Sequence, residues 1–256
     1  MHMRIVLRNL ARQRIGRVEV IESQRPTRVH IEPAAREVML DWEGAVDDAG
    51  HLRKCLACGG GHAAVVAEAA KAAGHEVLGY CADDEANPSP GGAARLGAIA
   101  DARGLASKHN AHVHAAVGDA TLRRNWLALV RNIDAATIVH PSAIISPSAR
   151  INSGVFVSAG VVINARAVIE QGAIINTSAV IEHDCLVGEF SHVAPRAVLA
   201  GNVTVGSDVL IGVGAVVLPR KRIGDGATGG LDFFLVRAPP IDDGAGQVKI
   251  IPEKHR

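Results

Sequence analysis

Ile145, Ile151, Val157, Ile163, Ile169, Ile175, Ile181, Val187, Val193, Leu199, Val205, Ile211, Val217 and Ile223 stand six residues apart, and every one is aliphatic. Two places before them runs a second series, small or β-branched throughout: Ala143, Ala149, Val155, Val161, Ala167, Ala173, Ala179, Cys185, Ser191, Ala197, Val203, Val209 and Ala215. A six-residue unit is one short strand plus one turn, and three units close a triangular coil of about 18 residues. The long aliphatic side chain points inwards from each face. The small one sits near the corner, where the bending backbone leaves no room for bulk. Stacked coils pair their strands in parallel, so each coil satisfies the backbone groups of the next. Asn152, Asn164, Asn176, Gly188, Gly206, Gly212 and Gly224 each follow an aliphatic position by one place and are the turn-compatible residues of the repeat. A register that holds without a slip argues against accidental spacing.

Upstream of the repeat, from about Cys55 to Val139, the pattern alternates between strand and helix. Leu52–Cys58 suits a short strand, and an alanine-rich helix follows over Ala63–Ala73. Glu76–Cys81 reads as a second strand, ending in Ala82-Asp83-Asp84-Glu85. Asn87–Gly92 is a turn-rich loop. A helix near Ala98–Ala106, a strand near Ala111–Val117 and a helix near Thr121–Asn132 complete the series. Between the first strand and helix stands Gly59-Gly60-Gly61-His62. Such a cluster either lets backbone N–H groups approach an anion or simply makes a tight turn, since the full dinucleotide-binding spacing is absent. Asp83 and Asp84 either hydrogen-bond a ribose or base, or line a solvated loop.

Composition narrows the class. Of the 256 residues 48% are hydrophobic, as a folded chain requires, yet only 3% are aromatic, which suits flat stacked aliphatic layers. A net charge of +1 gives no overall attraction to nucleic acid or to an anionic membrane. Four cysteines in a chain of this length fit reduced thiols in a cytosol better than a secreted disulfide framework. No stretch reaches membrane-spanning length, and Met1-His2-Met3-Arg4 lacks the apolar core of a signal peptide. These features predict a cytoplasmic protein.

Several motifs follow one another in a recognisable order: Gly59-Gly60-Gly61-His62, Gly79-Tyr80 through Asp83-Asp84, Gly118-Asp119 with Arg123-Arg124, His140-Pro141-Ser142-Ala143, and Asn176 through Glu182-His183-Asp184-Cys185. Ser191-His192-Val193 and Ala200-Gly201-Asn202 come after them. With these motifs the chain resembles the sialic acid O-acetyltransferase and UDP-4-amino-sugar N-acetyltransferase family of hexapeptide-repeat enzymes, the bacillosamine pathway included, over roughly residues 55 to 240. The resemblance implies a left-handed β-helix, a homotrimer, acetyl-CoA lying along the helix between subunits, and a small α/β domain that binds the nucleotide sugar. The domains expected are an N-terminal extension of unknown role (1–54), the α/β nucleotide-sugar domain (55–139), the left-handed parallel β-helix (140–240) and a tail (241–256).

Acetyl transfer to an amine needs a base for the attacking nitrogen, a donor for the thioester oxyanion and a surface that positions both substrates. His183 lies two places after inward-facing Ile181, so it projects from a turn and suits the base. The family's adjacent acid orients the imidazole, a role that falls here to Asp184. Gly201 is eighteen residues after His183 and therefore stacks on it one coil later. The resemblance sets the acetyl carbonyl against its amide. His192 lies on another face and, by the same resemblance, holds substrate together with Gly60, Gly61, His62, Asp83 and Asp84. Cys185, at a small-residue corner position, packs.

Other readings remain open. A histidine base serves a hydroxyl as well, which would make the chain an O-acetyltransferase of sialic acid or a related sugar. A non-catalytic or metal-dependent trimer, resembling a carbonic anhydrase, needs three meeting histidines, and no third stands on a repeat position near His183 and His192. Cys55-x-x-Cys58 has no second cysteine pair, so no metal is expected. The basic first thirty residues suit a solvated or partner-binding face. At the far end Gly229–Leu235 breaks the hexad, and Gly246–Ile250 lacks the family's closing proline, which bears on coenzyme contacts there.

Overall fold

The structure, a computed structural model, describes residues 2–8, 14–21, 39–42, 53–58, 61–84, 89–130 and 135–228. Gly59, Gly60, the Cys55 and Cys58 side chains, most of the basic N-terminal stretch and the irregular end from residue 229 lie outside the described parts.

The chain divides into two compact units, Met1–Arg53 and Lys54–Arg256. In the first, strands β1 (His2–Arg8), β2 (Arg14–Ile21) and β3 (Met39–Trp42) form an antiparallel sheet in the order β2-β1-β3, with Ile5 opposite both Val18 and Trp42.

The second unit begins with a four-stranded sheet in the order β6-β5-β4-β7, built from β4 (Arg53–Cys58), β5 (Glu76–Cys81), β6 (Arg95–Gly97) and β7 (His112–Ala116). Its helices are α1 (Gly61–Ala72), α2 (Ala102–His109) and α3 (Ala120–Leu129). Helix α1 buries Ala63, Val66, Ala67, Ala69 and Ala70, a small-residue face that allows close packing. Asp119 caps α3 by accepting the Leu122 N–H at 2.8 Å. The helix expected near Ala98–Ala106 starts and ends later. Ile99–Asp101 form a single 3-10 turn, held by Asp83 Oδ1 on the Ile99 N–H (2.9 Å), and the helix runs on until Asn110 ends it at φ 49°. The edge strand β6, only three residues long, carries no pattern that the sequence reading detected.

From residue 138 the chain becomes a left-handed parallel β-helix. Among the described residues, fifteen two-residue strands, β8 (Ile138–Val139) to β22 (Arg222–Ile223), recur every six residues and fall into three five-stranded faces. The first face holds β8, β11, β14, β17 and β20. The second begins at β9 and the third at β10. Strands on one face pair in parallel at a spacing of eighteen residues, as Val162 with Val180 and Val180 with Val198. Both inward series, from Val155 and Val157 to Ala215 and Val217, form one continuous aliphatic core. The position between them points outwards. On the first face Phe156 and Ile174 at that position are buried beneath α1, so the α/β domain sits on this face.

The tight turns lie further along the repeat than the asparagine and glycine series implied. They fall two and three places after the inward aliphatic residue, and the later place has positive φ from residue 154 to residue 226 without exception. Glycine fills five of these corners. Arg166, Ser178, Asp184, Phe190, Arg196, Asn202, Asp208 and Arg220 fill the others at φ 57–63°. Stacking over-determines a backbone that side chains otherwise avoid.

Candidate active site

His183 and Asp184 form the turn after β15 (Val180–Ile181) at the corner between the second and third faces. A carboxylate only accepts hydrogen bonds, so His183 Nδ1–H donates to Asp184 Oδ2 at 2.8 Å. The lone pair is therefore on Nε2, the nitrogen that faces away from Asp184. One coil on, Gly201 occupies the place of His183 in the repeat. A Cβ added to Gly201 would lie 2.7 Å from His183 Nε2 and 2.8 Å from Cε1, so the imidazole uses the space that glycine leaves. Among the described residues the Gly201 N–H makes no backbone hydrogen bond, whereas its carbonyl accepts from the Arg220 N–H. The ring is 55% exposed and stands ready for a ligand.

Sequence reasoning did not foresee Arg166. It stands one coil before Asp184 in the same corner column. Its guanidinium takes both carboxylate oxygens, Nε to Oδ1 at 2.6 Å and Nη2 to Oδ2 at 2.8 Å. The Arg166 bonds first, and His183 second, hold Asp184 well below the usual carboxylate range. The only available signal was the eighteen-residue spacing. The Cys185 thiol is turned to the Ala200 carbonyl at 3.2 Å and is pushed up by burial.

A second cluster lies where the α/β domain meets the first face. The strand order β6-β5-β4-β7 places a switch point between β4 and β7: the chain leaves β4 towards β5 and β6, then returns to β7 on the other side. Ligands of such sheets usually sit outside the carboxyl ends of the strands at a point of this kind. Gly61 and His62 begin α1 on one side of it. Gly118 and Asp119 follow β7 on the other. His62 packs its edge on Phe156 (ring centroids 5.4 Å) and lies 6.4 Å from the ring of His192, which points out of β17 (His192–Val193). Asn176 Nδ2 donates to His192 Nε2 at 3.0 Å, which leaves the ring proton on Nδ1. His62 Nε2 is buried without a hydrogen-bond partner among the described residues. Burial, and then the charge of Arg123, push both histidines down to about 4, so both are neutral at physiological pH.

Arg123 itself is 1% exposed and donates to the carbonyls of Gly172 (2.7 Å), Val117 (2.9 Å), Gly118 (2.9 Å) and Phe190. It staples α3 to the β-helix. Burial lowers its pKa to about 10, so it stays charged. Arg124 stacks over Phe190 at 4.1 Å and pairs with Asp208 at 2.7 Å. Beside these residues a cleft of about 480 Å³ opens, lined by Gly118, Asp119, Phe190, His192, Asp208 and Leu210 among others. Of the expected sugar-site residues, His192 lines this cleft, and His62, next to Gly61, lies with its ring 6.4 Å from that of His192. Asp83 and Asp84 lie exposed at the end of β5, with Asp83 engaged by Ile99, and Gly60 lies outside the described residues. His183 stands at the corner between the second and third faces, whereas His192 lies on the first face. Among the described residues no cluster of three metal-ligating side chains occurs, and no helix is long and apolar enough to cross a membrane.

Residues 55–130 match the family model described as the PglD N-terminal domain, and residues 130–229 match the GMPPB C-terminal domain. The acetyltransferase domain of PglB from Neisseria gonorrhoeae, solved with acetyl coenzyme A, is 33% identical with a TM-score of 0.66, covering 71% of this chain and 89% of that one. PerB from Caulobacter crescentus, solved with CoA and GDP-perosamine, is 37% identical with a TM-score of 0.65, covering 69% and 85%. WeeI from Acinetobacter baumannii, 19% identical with a TM-score of 0.60 over 70% and 89%, shares the fold.

Proposed function

The chain belongs to the bacillosamine-type family of hexapeptide-repeat sugar acetyltransferases, and on that basis we propose that it moves an acetyl group from acetyl-CoA to the amino group of a nucleotide-linked amino sugar. One observation carries the assignment of roles: His183 holds its proton on Nδ1 against Asp184 and turns Nε2 over the bare backbone of Gly201.

The neutral sugar amine attacks the thioester carbonyl of acetyl-CoA. His183 Nε2 takes the proton that the nitrogen must lose. Asp184 keeps the imidazole in the productive tautomer and stabilises the imidazolium that forms. As the carbonyl oxygen gains charge, the Gly201 N–H donates to it. Collapse of the tetrahedral species expels the CoA thiolate, which takes the proton from the His183 imidazolium, and leaves the amide. Binding of the nucleotide sugar falls in this reading to His192 and His62, with Gly60, Gly61, Asp83 and Asp84 as the resemblance implies. Two neutral histidines and a buried arginine suit that part of the task, since a neutral imidazole both donates and accepts.

His183 stands on a corner away from the face that carries His192, which supports a complete site drawn from two subunits of a homotrimer. Cys185 carries a free thiol, which fits a reducing cytoplasm. The test is release of CoA thiol from acetyl-CoA with a panel of UDP-, GDP- and dTDP-linked amino sugars. At least one amino sugar should be turned over, and its hydroxyl counterpart should not. Turnover of the hydroxyl sugars alone would make the chain an O-acetyltransferase.

A further inference from the structure

We propose that Arg166 is a positioning residue for the transfer: its fork fixes Asp184, and through Asp184 it fixes the tautomer and aim of His183. The inference rests on the acetyltransferase reading above.

Arg166 and Asp184 occupy the same corner of successive coils, eighteen residues apart, at φ 61° and 60°. This backbone sends both side chains outwards along one edge. The edge is tied at each level: the Arg166 N–H donates to Ser148 Oγ at 3.1 Å, and the Asp184 N–H donates to the Ala165 carbonyl at 3.0 Å. The guanidinium therefore starts from a fixed point and meets the carboxylate with two near-parallel bonds, a geometry that lysine cannot reproduce. Asp184 Oδ2 serves two donors, Arg166 Nη2 and His183 Nδ1, both at 2.8 Å. With one oxygen locked by Nε and the other shared, the carboxylate cannot turn away from the imidazole. Without the fork, a third-exposed carboxylate on a corner is free to rotate into water, and His183 loses the partner that keeps its proton on Nδ1.

The pair has little to do with folding. Arg166 is 65% exposed, and ion pairs in such places add little stability. A second guanidinium–carboxylate pair that stabilised only the corner would have no reason to share an oxygen with the base.

The test compares the full chain with Arg166→Met and Arg166→Lys, using steady-state kinetics, thermal denaturation and nitrogen NMR of the His183 ring. Arg166→Met should lower kcat by about tenfold or more, leave KM for acetyl-CoA and the sugar within about twofold, and leave Tm unchanged. The ring signal should move from a single Nδ1–H form to a mixture with the Nε2–H form. Arg166→Lys should restore only part of kcat. Unchanged kcat with an unchanged ring signal would overturn the proposal. So would a fall in Tm with the ring signal unmoved, since Arg166 would then merely brace the corner. If the unmodified chain turns over no amino sugar, the functional reading fails, and the ring signals alone still decide whether Arg166 sets the tautomer.

Discussion

At Gly201 a hydrogen atom in place of a side chain decides whether His183 has room. The nearest imidazole atoms would lie 2.7 and 2.8 Å from a Cβ, closer than carbon and nitrogen approach without bonding. Gly201→Ala should therefore push the ring off its place and cost at least tenfold in kcat, while Tm changes little because the ring can swing into solvent. Steady-state kinetics beside a melting curve separates the two effects. The buried histidines give a different signature. His62 and His192 have pKa values near 4 when folded and about 6.5 when unfolded. Between these values the unfolded chain binds more protons, so stability is full above about pH 6.5 and falls as the pH drops towards 4. The loss is at most on the order of 3 kcal/mol for each ring. Melting curves from pH 7 to pH 4.5 should show the decline, and His192→Gln should flatten it. The stacking of Gly201 on His183 was legible because the hexad register fixes who stacks on whom, whereas the part given to Asp184 came from the resemblance. The sequence did not disclose Arg166, which has no motif around it. Arg123 stood in a quoted motif, but its role as a staple is recognisable only once α3 lies on the helix with four carbonyls turned towards it.

Among the elements, the short strands were legible because two inward positions per hexad must be apolar, and this constraint repeats without relief. The corners were not. Eight of the positive-φ places carry Arg, Ser, Asp, Phe or Asn, so glycine does not mark them, and the residues that look like turn formers stand elsewhere. The turn series still contains places where only glycine fits. At Gly188 a Cβ would lie 2.4 Å from the Gly206 backbone in the next coil, where no flexible side chain can yield. Gly188→Ala should destabilise the helix by about 1–3 kcal/mol, visible as a lower denaturation midpoint. By contrast, Arg196→Gly at an exposed left-handed corner should leave the midpoint unchanged or raise it. Helix α2 began later than its apolar pattern implied because Asp83 claims the Ile99 N–H and imposes a tighter first turn, an interaction between residues sixteen apart.

At the scale of the whole molecule, the homotrimer we propose brings these pieces together across subunits. Within one chain His183 stands at one corner, and the cleft lined by His192 opens on another face. Ile144, Val213, Leu210 and Val216 expose 68%, 51%, 38% and 38% of their surface on the outside of the β-helix. Apolar side chains so placed gain by meeting another subunit. Sedimentation should give a species near three times the 26.7 kDa of one chain, and Val216→Glu should weaken it and reduce activity together. The central claim is that His183 is the base for acetyl transfer to a nucleotide-linked amine. Its most direct test is the turnover number of His183→Ala with acetyl-CoA and the preferred amino sugar, measured on folded protein. The account predicts a fall of about 10²–10⁴-fold with KM little changed; turnover equal to that of the unmodified chain would contradict it.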